Sequence, residues 1–123
     1  MFENQFQPEQ VRIGIIGLGY VGLPLAVAFA EKYRVIGLDI NASRVEELRK
    51  GTDSTLEVDH KTLEDVLVSS DNFQTTGLLC TTNPQDLSDC NVYIVTVPTP
   101  TDRHNRPVLT PMIKASQSIG ALL

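Results

Sequence analysis

One stretch of the sequence, residues 11–39, restricts the possible folds of this chain more than any other. It begins with an apolar run from Val11 to Ile16 that is typical of a buried β-strand. A glycine-rich turn follows, then a segment of small and apolar residues from about Leu23 to Lys32 that is typical of a helix, and then a second apolar strand ending at Asp39. Strand, glycine turn, helix and strand in this order predict a βαβ unit that binds a dinucleotide.

The glycines of the turn have the spacing GxGxxG, and each has a separate physical task. Gly17 lets the strand turn sharply into the helix, and Gly19 lets the backbone approach a pyrophosphate without a Cβ atom in the way. Gly22 allows the helix and the strand to pack closely. We expect the amides of Tyr20 and Val21 to point at the ligand, because N–H groups at the start of a helix lack an intrahelical partner and favour an anion.

The second strand ends in an acid, Asp39, near the interval of about 20 residues at which dinucleotide-binding units carry a carboxylate. A carboxylate there accepts hydrogen bonds from the ribose hydroxyls of the adenosine and repels a 2′-phosphate. The sequence therefore predicts NAD rather than NADP as the cofactor. The alternative is that Asp39 only caps a helix or forms a turn after a buried strand.

Two further residues are candidates for contact with the cofactor. Arg44 lies in the first turn of a predicted helix, where the helix dipole does not favour a cation, so we expect it to cover the adenine face or the ribose edge. Thr99 follows a β-branched strand and stands between two prolines, where its hydroxyl or amide can meet the ribose or the pyrophosphate. The alternatives are a solvated surface arginine and a proline-rich turn without a ligand role.

The whole pattern predicts an α/β fold, a Rossmann-type doubly wound parallel sheet of about four strands in the order 3-2-1-4. Such a fold has six strands when complete. We therefore expect residues 11–123 to be an incomplete NAD-binding domain without the substrate and catalytic domains, preceded by a flexible leader at residues 1–10. Beyond the first unit, we predict helices at 42–50 and 59–68 and a last helix that begins at Thr110-Pro111. We also predict strands at 78–82 and 90–97, and we expect the strand at 90–97 to be covered on both faces.

The composition narrows the classes of partner. The net charge of −5 and the pI near 4.8 argue against nucleic acid, which is bound by clustered Lys and Arg. No apolar run reaches the roughly 20 residues that span a bilayer, and the N-terminus does not resemble a signal peptide, so we expect no membrane contact and a cytoplasmic protein. Cys80 and Cys90 form neither a CxxC pair nor a cluster with histidine, and we expect no metal, disulfide or catalytic role for them.

Three parts of the sequence together resemble the N-terminal part of the UDP-glucose/GDP-mannose dehydrogenase family. They are GLGYVGLPLAVAFA, GLDIN followed by RVEELRKG, and NVYIVTVPTPTD followed by LTPMIKAS. The resemblance is strongest to the bacterial branch that acts on UDP-N-acetylhexosamines for surface-polysaccharide synthesis. It implies oxidation of the C6 alcohol of a UDP-sugar to the carboxylate with two NAD+, by way of a cysteine thiohemiacetal, with a lysine and an aspartate assisting.

The resemblance also implies roles for residues of this chain, in cofactor binding only. The set that matches the motif is Gly17, Gly19, Tyr20, Val21, Gly22, Asp39, Arg44 and Thr99. Neither cysteine matches the nucleophile of the family, so we assign no catalytic residue, and we expect this chain alone to be inactive and the full-length enzyme to be a homo-oligomer. Two other hypotheses stay open: the N-terminal unit of a β-hydroxyacid-type NAD dehydrogenase, and a non-catalytic module that senses NAD or another nucleotide.

Overall fold

The computed structural model describes residues 10–55, 57–68, 76–97 and 102–122. Most of the predicted leader and Thr99 of the predicted cofactor site lie outside the described residues. The elements, in chain order, are β1 (Arg12–Ile16), α1 (Gly22–Ala30), β2 (Arg34–Leu38), α2 (Ala42–Arg49), α3 (His60–Val66), β3 (Gly77–Thr81), a short 3₁₀ helix (Pro84–Leu87), β4 (Val92–Val95) and α4 (Thr110–Leu122).

The strands form one parallel sheet in the order β3-β2-β1-β4. In its centre, Ile13 of β1 is paired with Val35 of β2 on one side and with Val92 of β4 on the other. Apolar residues occupy nearly every position of β1 and β2, as expected for parallel strands that are buried on both faces. The predicted fold class and strand order are confirmed.

Separate apolar cores cover the faces of the sheet. On one face, Ile13 and Ile15 pack with residues of α1, α2 and α3. On the other face, Ile16 packs with Leu87 of the 3₁₀ helix and with Ala115 of α4. Because successive residues of a strand point to opposite faces, β1 supplies both cores and lies at the centre of the domain.

Helix α2 begins and ends as its sequence predicts. The side chain of Asn41 accepts hydrogen bonds from the amides of Ser43 and Arg44, which are donors that the first turn of a helix cannot satisfy internally. Gly51 has a φ of +83° and follows the last turn, where a left-handed residue commonly ends a helix. These caps hold α2 in place and thereby orient Arg44.

The fourth strand differs from its prediction. The β-branched run at 90–97 is typical of a central strand, but β4 covers only Val92–Val95 and, within the described residues, pairs with β1 alone. Val92 and Val95 are 40% and 37% exposed. A β-branched apolar sequence shows that a strand is suited to burial, but the exposure of that strand depends on which elements pack beside it.

Candidate functional site

The glycine turn lies at the carboxyl end of β1, between the ends of β2 and β4. The amide of Gly17 donates to the carbonyl of Leu38 at 2.8 Å, so the turn begins as an extension of the sheet. Gly17 has a φ of +103°, and a Cβ atom there would lie 2.8 Å from the carbonyl oxygen of Thr96. Both the backbone angle and the close neighbour require glycine at this position.

The other two glycines of the turn, Gly19 and Gly22, differ in how closely neighbouring atoms approach them. A Cβ atom on Gly22 would lie 1.7 Å from the carbonyl oxygen of Gly17, so α1 starts directly against the turn. A Cβ atom on Gly19 would meet no atom of the described residues within 4 Å. Gly22 therefore allows close packing inside the protein, whereas Gly19 faces open space.

Tyr20 and Val21 lie between the turn and α1, and their side chains are 69% and 67% exposed. Val21 is the N-cap of α1 and makes no side-chain capping bond. In the part of the chain that the structure describes, no group accepts a hydrogen bond from the amides of Tyr20 and Val21. The start of α1 thus presents unsatisfied donors at the positive end of the helix dipole.

Asp39 lies beside this turn. Its Oδ2 accepts a hydrogen bond from the amide of Leu18 at 2.9 Å, and its Oδ1 accepts one from the amide of Asn41 at 2.9 Å. The carboxylate is partly exposed. Because each oxygen of a carboxylate can accept more than one hydrogen bond, Asp39 retains acceptor capacity toward the solvent.

Arg44 is buried, which excludes the alternative of a solvated surface arginine. Its side chain is 9% exposed, its Nε donates to the carbonyl of Leu18 at 2.8 Å, and its Nη1 donates to Glu47 at 2.7 Å and to Asp53 at 2.8 Å. Burial opposes its charge, but the hydrogen bonds to Glu47 and Asp53 outweigh burial and raise the pKa of Arg44 above its ordinary value. Its Nη2 is buried and has no hydrogen-bond partner among the described residues.

Asp39 and Arg44 hold the two backbone polar groups of one residue, an arrangement that we call the Leu18 clamp. The carboxylate accepts from the Leu18 N–H, and the guanidinium donates to the Leu18 C=O. Hydrogen bonds to charged groups are stronger than neutral ones, so the clamp restrains the turn at its centre. The sequence predicts both side chains as ligand contacts but does not reveal their bonds to the turn itself.

Asp53 is a buried residue of the site that the sequence does not predict. Its side chain is 0% exposed. Its Oδ1 accepts from the amide and the hydroxyl of Thr55 at 3.0 and 2.6 Å, and its Oδ2 accepts from the amides of Glu57 and Val58 at 2.9 and 3.0 Å. Burial alone would raise the pKa of Asp53, but the bonds from Thr55, Arg44 and the Val58 amide lower it to about 2. The Asp-Ser-Thr sequence signals a local turn, but it does not reveal the arginine that the turn faces.

Thr96, at the end of β4, is a second residue that the sequence does not predict. Its hydroxyl lies 2.8 Å from the carbonyl oxygen of Gly17 and 3.2 Å from that of Ile16, and it donates a hydrogen bond shared between them. The threonine predicted from the sequence to contact the cofactor in this segment is Thr99. No local signal indicates this contact, because Thr96 lies inside the predicted strand and its partner Gly17 is 79 residues away along the chain.

The remaining sequence predictions concern metals, thiols and membranes. The described residues contain no group of three His, Cys, Asp or Glu side chains that could hold a metal ion. Burial raises the pKa of Cys80 to about 12 and that of Cys90 to about 11, so both stay protonated thiols near neutral pH. No described helix is long and apolar enough to cross a membrane.

Comparison with known proteins identifies the family. Residues 11–123 match the NAD binding domain of the UDP-glucose/GDP-mannose dehydrogenase family. The chain belongs to this family. The match confirms the resemblance stated from the motifs and confirms NAD as the cofactor of the domain, and it favours the nucleotide-sugar dehydrogenase over the two other hypotheses.

Individual relatives show how much of the family's length is present. The chain is 52% identical over 115 residues to the UDP-N-acetyl-D-glucosamine 6-dehydrogenase of Pseudomonas aeruginosa, which is 94% of this chain and 25% of that protein. It is 35% identical over 112 residues to the UDP-N-acetyl-D-mannosamine dehydrogenase of Yersinia pestis, which is 90% of this chain and 25% of that protein. The solved structure of UDP-D-ManNAc dehydrogenase from Pyrococcus horikoshii superposes with a TM-score of 0.79 at 32% identity, covering 92% of this chain and 26% of that one. The chain thus spans about a quarter of the length of the curated relatives it matches.

Proposed function

We propose that this chain is the NAD-binding part of a UDP-N-acetylhexosamine 6-dehydrogenase, an enzyme that oxidises the C6 alcohol of a UDP-sugar to the carboxylate with two NAD+. The observation that carries the proposal is the Leu18 clamp. It restrains a glycine turn whose following amides, those of Tyr20 and Val21, have no partner among the described residues. Donors that are held in place and unsatisfied are suited to a diphosphate at the start of a helix.

Each predicted site residue has a task in this proposal. The amides of Tyr20 and Val21 bind the pyrophosphate, and the open space in front of Gly19 admits it. The remaining lone pairs of Asp39 accept from the ribose hydroxyls, and Arg44 keeps its proposed place at the ribose edge, where its Nε holds the Leu18 carbonyl. Thr99 retains its proposed contact with the ribose or the pyrophosphate. Bound NAD+ supplies the acceptor for hydride.

Ile40 adds an apolar surface to the site that no sequence motif indicates. It directly follows Asp39 and is 93% exposed, which is unusual for an isoleucine. An adenine ring lying beyond the ribose would cover part of this side chain and remove it from water. We propose that Ile40 packs against the adenine.

The names of two relatives support a proposal for the sugar. The 52% identical relative is named for UDP-N-acetyl-D-glucosamine and the 35% identical one for UDP-N-acetyl-D-mannosamine. We therefore propose a UDP-N-acetylhexosamine, with the gluco isomer first to be tested. We further propose that the full-length enzyme is a cytoplasmic homo-oligomer that supplies uronates for surface polysaccharide, and that the family's catalytic cysteine, which neither Cys80 nor Cys90 matches, is not in this chain.

The cofactor proposal is tested by calorimetric titration of the chain with NAD, NADP and ADP-ribose. We expect weak binding of NAD and ADP-ribose and still weaker binding of NADP, because the Asp39 carboxylate repels a 2′-phosphate. Tighter binding of NADP than of NAD would contradict the role given to Asp39.

Substitution of Asp39 sharpens this test. Asp39→Ala and Asp39→Asn both remove the charge, and the amide variant retains an acceptor for the Leu18 N–H. The readout is the ratio of the two dissociation constants, since NAD and NADP share the turn and suffer equally from damage to it. We expect the preference against NADP to relax by about tenfold in both variants, whereas Asp65→Asn, an exposed acid on α3, should leave the ratio unchanged. An unchanged ratio in the Asp39 variants would refute the proposal.

A further inference from the structure

We propose that Asp53 is a positioning residue for the cofactor site: it holds Arg44 in place and, through Arg44, fixes and polarises the Gly19 amide, which we add to those of Tyr20 and Val21 as a donor to the pyrophosphate. This inference rests on the proposed binding of NAD. Asp53 itself does not touch the ligand, because its side chain is fully buried. Its action is transmitted through one buried ion pair and one peptide group.

The first step is the rigidity of the Asp53 carboxylate. Its two oxygens accept four hydrogen bonds from Thr55, Glu57 and Val58 of the same loop, in addition to the bond from Arg44. A carboxylate held on so many sides has one orientation. Glu47, the other partner of Arg44, is 26% exposed and lies on the helix of Arg44 itself, so it adds charge but less restraint.

The second step runs from Arg44 to the turn. The guanidinium is planar, so fixing Nη1 on Asp53 also fixes the direction of Nε, which donates to the Leu18 carbonyl at 2.8 Å. Without the Asp53 charge, the mostly buried guanidinium would lack one of its two anionic partners. It would then turn toward Glu47 and the solvent. The bond to Leu18 would then weaken.

The third step is within the peptide group that joins Leu18 to Gly19. The described residues contain no cis peptide bond, so the Leu18 C=O and the Gly19 N–H point in opposite directions. With Arg44 on the carbonyl side, the Gly19 N–H points away from Arg44, and no described residue accepts from it. A charged donor on the carbonyl polarises the peptide and makes its N–H a stronger donor. Asp53 thus acts on the anion site from the far side of Arg44.

The test compares three variants of the chain in the ligand-free and ADP-ribose-bound forms. Asp53→Asn removes the charge with little change of shape. Leu63→Val is a matched control that loosens the core under α3 without touching the Asp53–Arg44 pair. Asp65→Asn controls for loss of one surface charge. The measurements are the dissociation constant of ADP-ribose, the melting temperature, and the amide ¹⁵N chemical shifts of Gly19 and Leu18 without ligand.

We expect Asp53→Asn to weaken ADP-ribose binding about tenfold and to move the ¹⁵N shift of Gly19, while the Leu18 amide, held by Asp39, stays close to its original shift. Leu63→Val should lower the melting temperature but leave the Gly19 shift and the affinity unchanged. A purely structural role of Asp53 would make the two variants alike, and unchanged affinity and Gly19 shift in Asp53→Asn would overturn the inference.

The outcomes separate this inference from the proposed function. If the unsubstituted chain binds no ADP-ribose, the proposed function fails, and the Gly19 shift still decides whether Asp53 controls that peptide. If Asp53→Asn does not fold, Thr55→Val removes one of the bonds to Asp53 and should move the Gly19 shift in the same direction by a smaller amount. An unmoved shift in Thr55→Val, with the loop signals of residues 53–58 displaced, would also overturn the inference.

Discussion

Substitution of Gly22 by alanine tests the packing on which the whole site depends. An added Cβ atom would lie 1.7 Å from the Gly17 carbonyl oxygen and 2.4 Å from the Thr96 hydroxyl oxygen. Real Cβ atoms essentially never approach a neighbour more closely than 3.0 Å, so α1 and the turn must separate by about 1.3 Å. The nearest atom belongs to the backbone, and it cannot move aside by a change of rotamer.

The expected loss of stability follows from this geometry. Overpacking an interior costs about 1–3 kcal/mol, and a rigid backbone neighbour places this contact at the upper end. The higher helix propensity of alanine offsets at most about 1 kcal/mol, which leaves a net loss of about 2 kcal/mol. For a domain of this size, that loss corresponds to a melting temperature about 8 °C lower.

Thermal unfolding followed by circular dichroism measures this effect, and Gly19→Ala is its matched control. A Cβ atom on Gly19 meets nothing within 4 Å among the described residues, so the melting temperature of the Gly19→Ala variant should differ from that of the unsubstituted chain by less than about 2 °C. The same Cβ atom enters the space proposed for the pyrophosphate, so the affinity for ADP-ribose should fall by about tenfold or more. Equal stability of Gly22→Ala and the unsubstituted chain, or equal destabilisation by both substitutions, would refute the reasoning.

Two further predictions concern titration and thiol reactivity. The pKa of Asp53 is lowered to about 2 in the folded chain, so its contribution of about 2 kcal/mol is fully present above about pH 4 and is lost as the pH falls toward 2. Urea unfolding at pH 2 to 6 should show this loss, and the absence of any difference between the chain and Asp53→Asn in that window would contradict it. Burial raises the pKa values of Cys80 and Cys90 to about 12 and 11, so iodoacetamide at pH 8 should modify both thiols only after unfolding. Rapid labelling of either thiol in the folded chain would contradict this prediction.

The sequence by itself determined the order of the α-helices and strands of the fold, although β4 is shorter than predicted and the 3₁₀ helix at Pro84–Leu87 was not predicted. Apolar runs of strand length, the GxGxxG turn and the Asn41 and Gly51 caps are local signals, because each depends on residues only a few positions apart. The parallel strand order then followed from the known connectivity of βαβ units. Asp39 was identified in the same way, by its position at the end of a strand.

The tertiary structure alone decided what several of these side chains contact. The bonds of Leu18 to Asp39 and Arg44 span 21 and 26 residues, and the bond of Thr96 to Gly17 spans 79. Sequence patterns carry no information on such pairs, since the pairing depends on how α2 and β4 pack against the turn. An isolated arginine costs free energy to bury, and Arg44 is buried only because Asp53, Glu47 and the Leu18 carbonyl meet its charge there. The partners of a charged side chain, rather than its own preference for water, determine whether it lies at the surface or within the site.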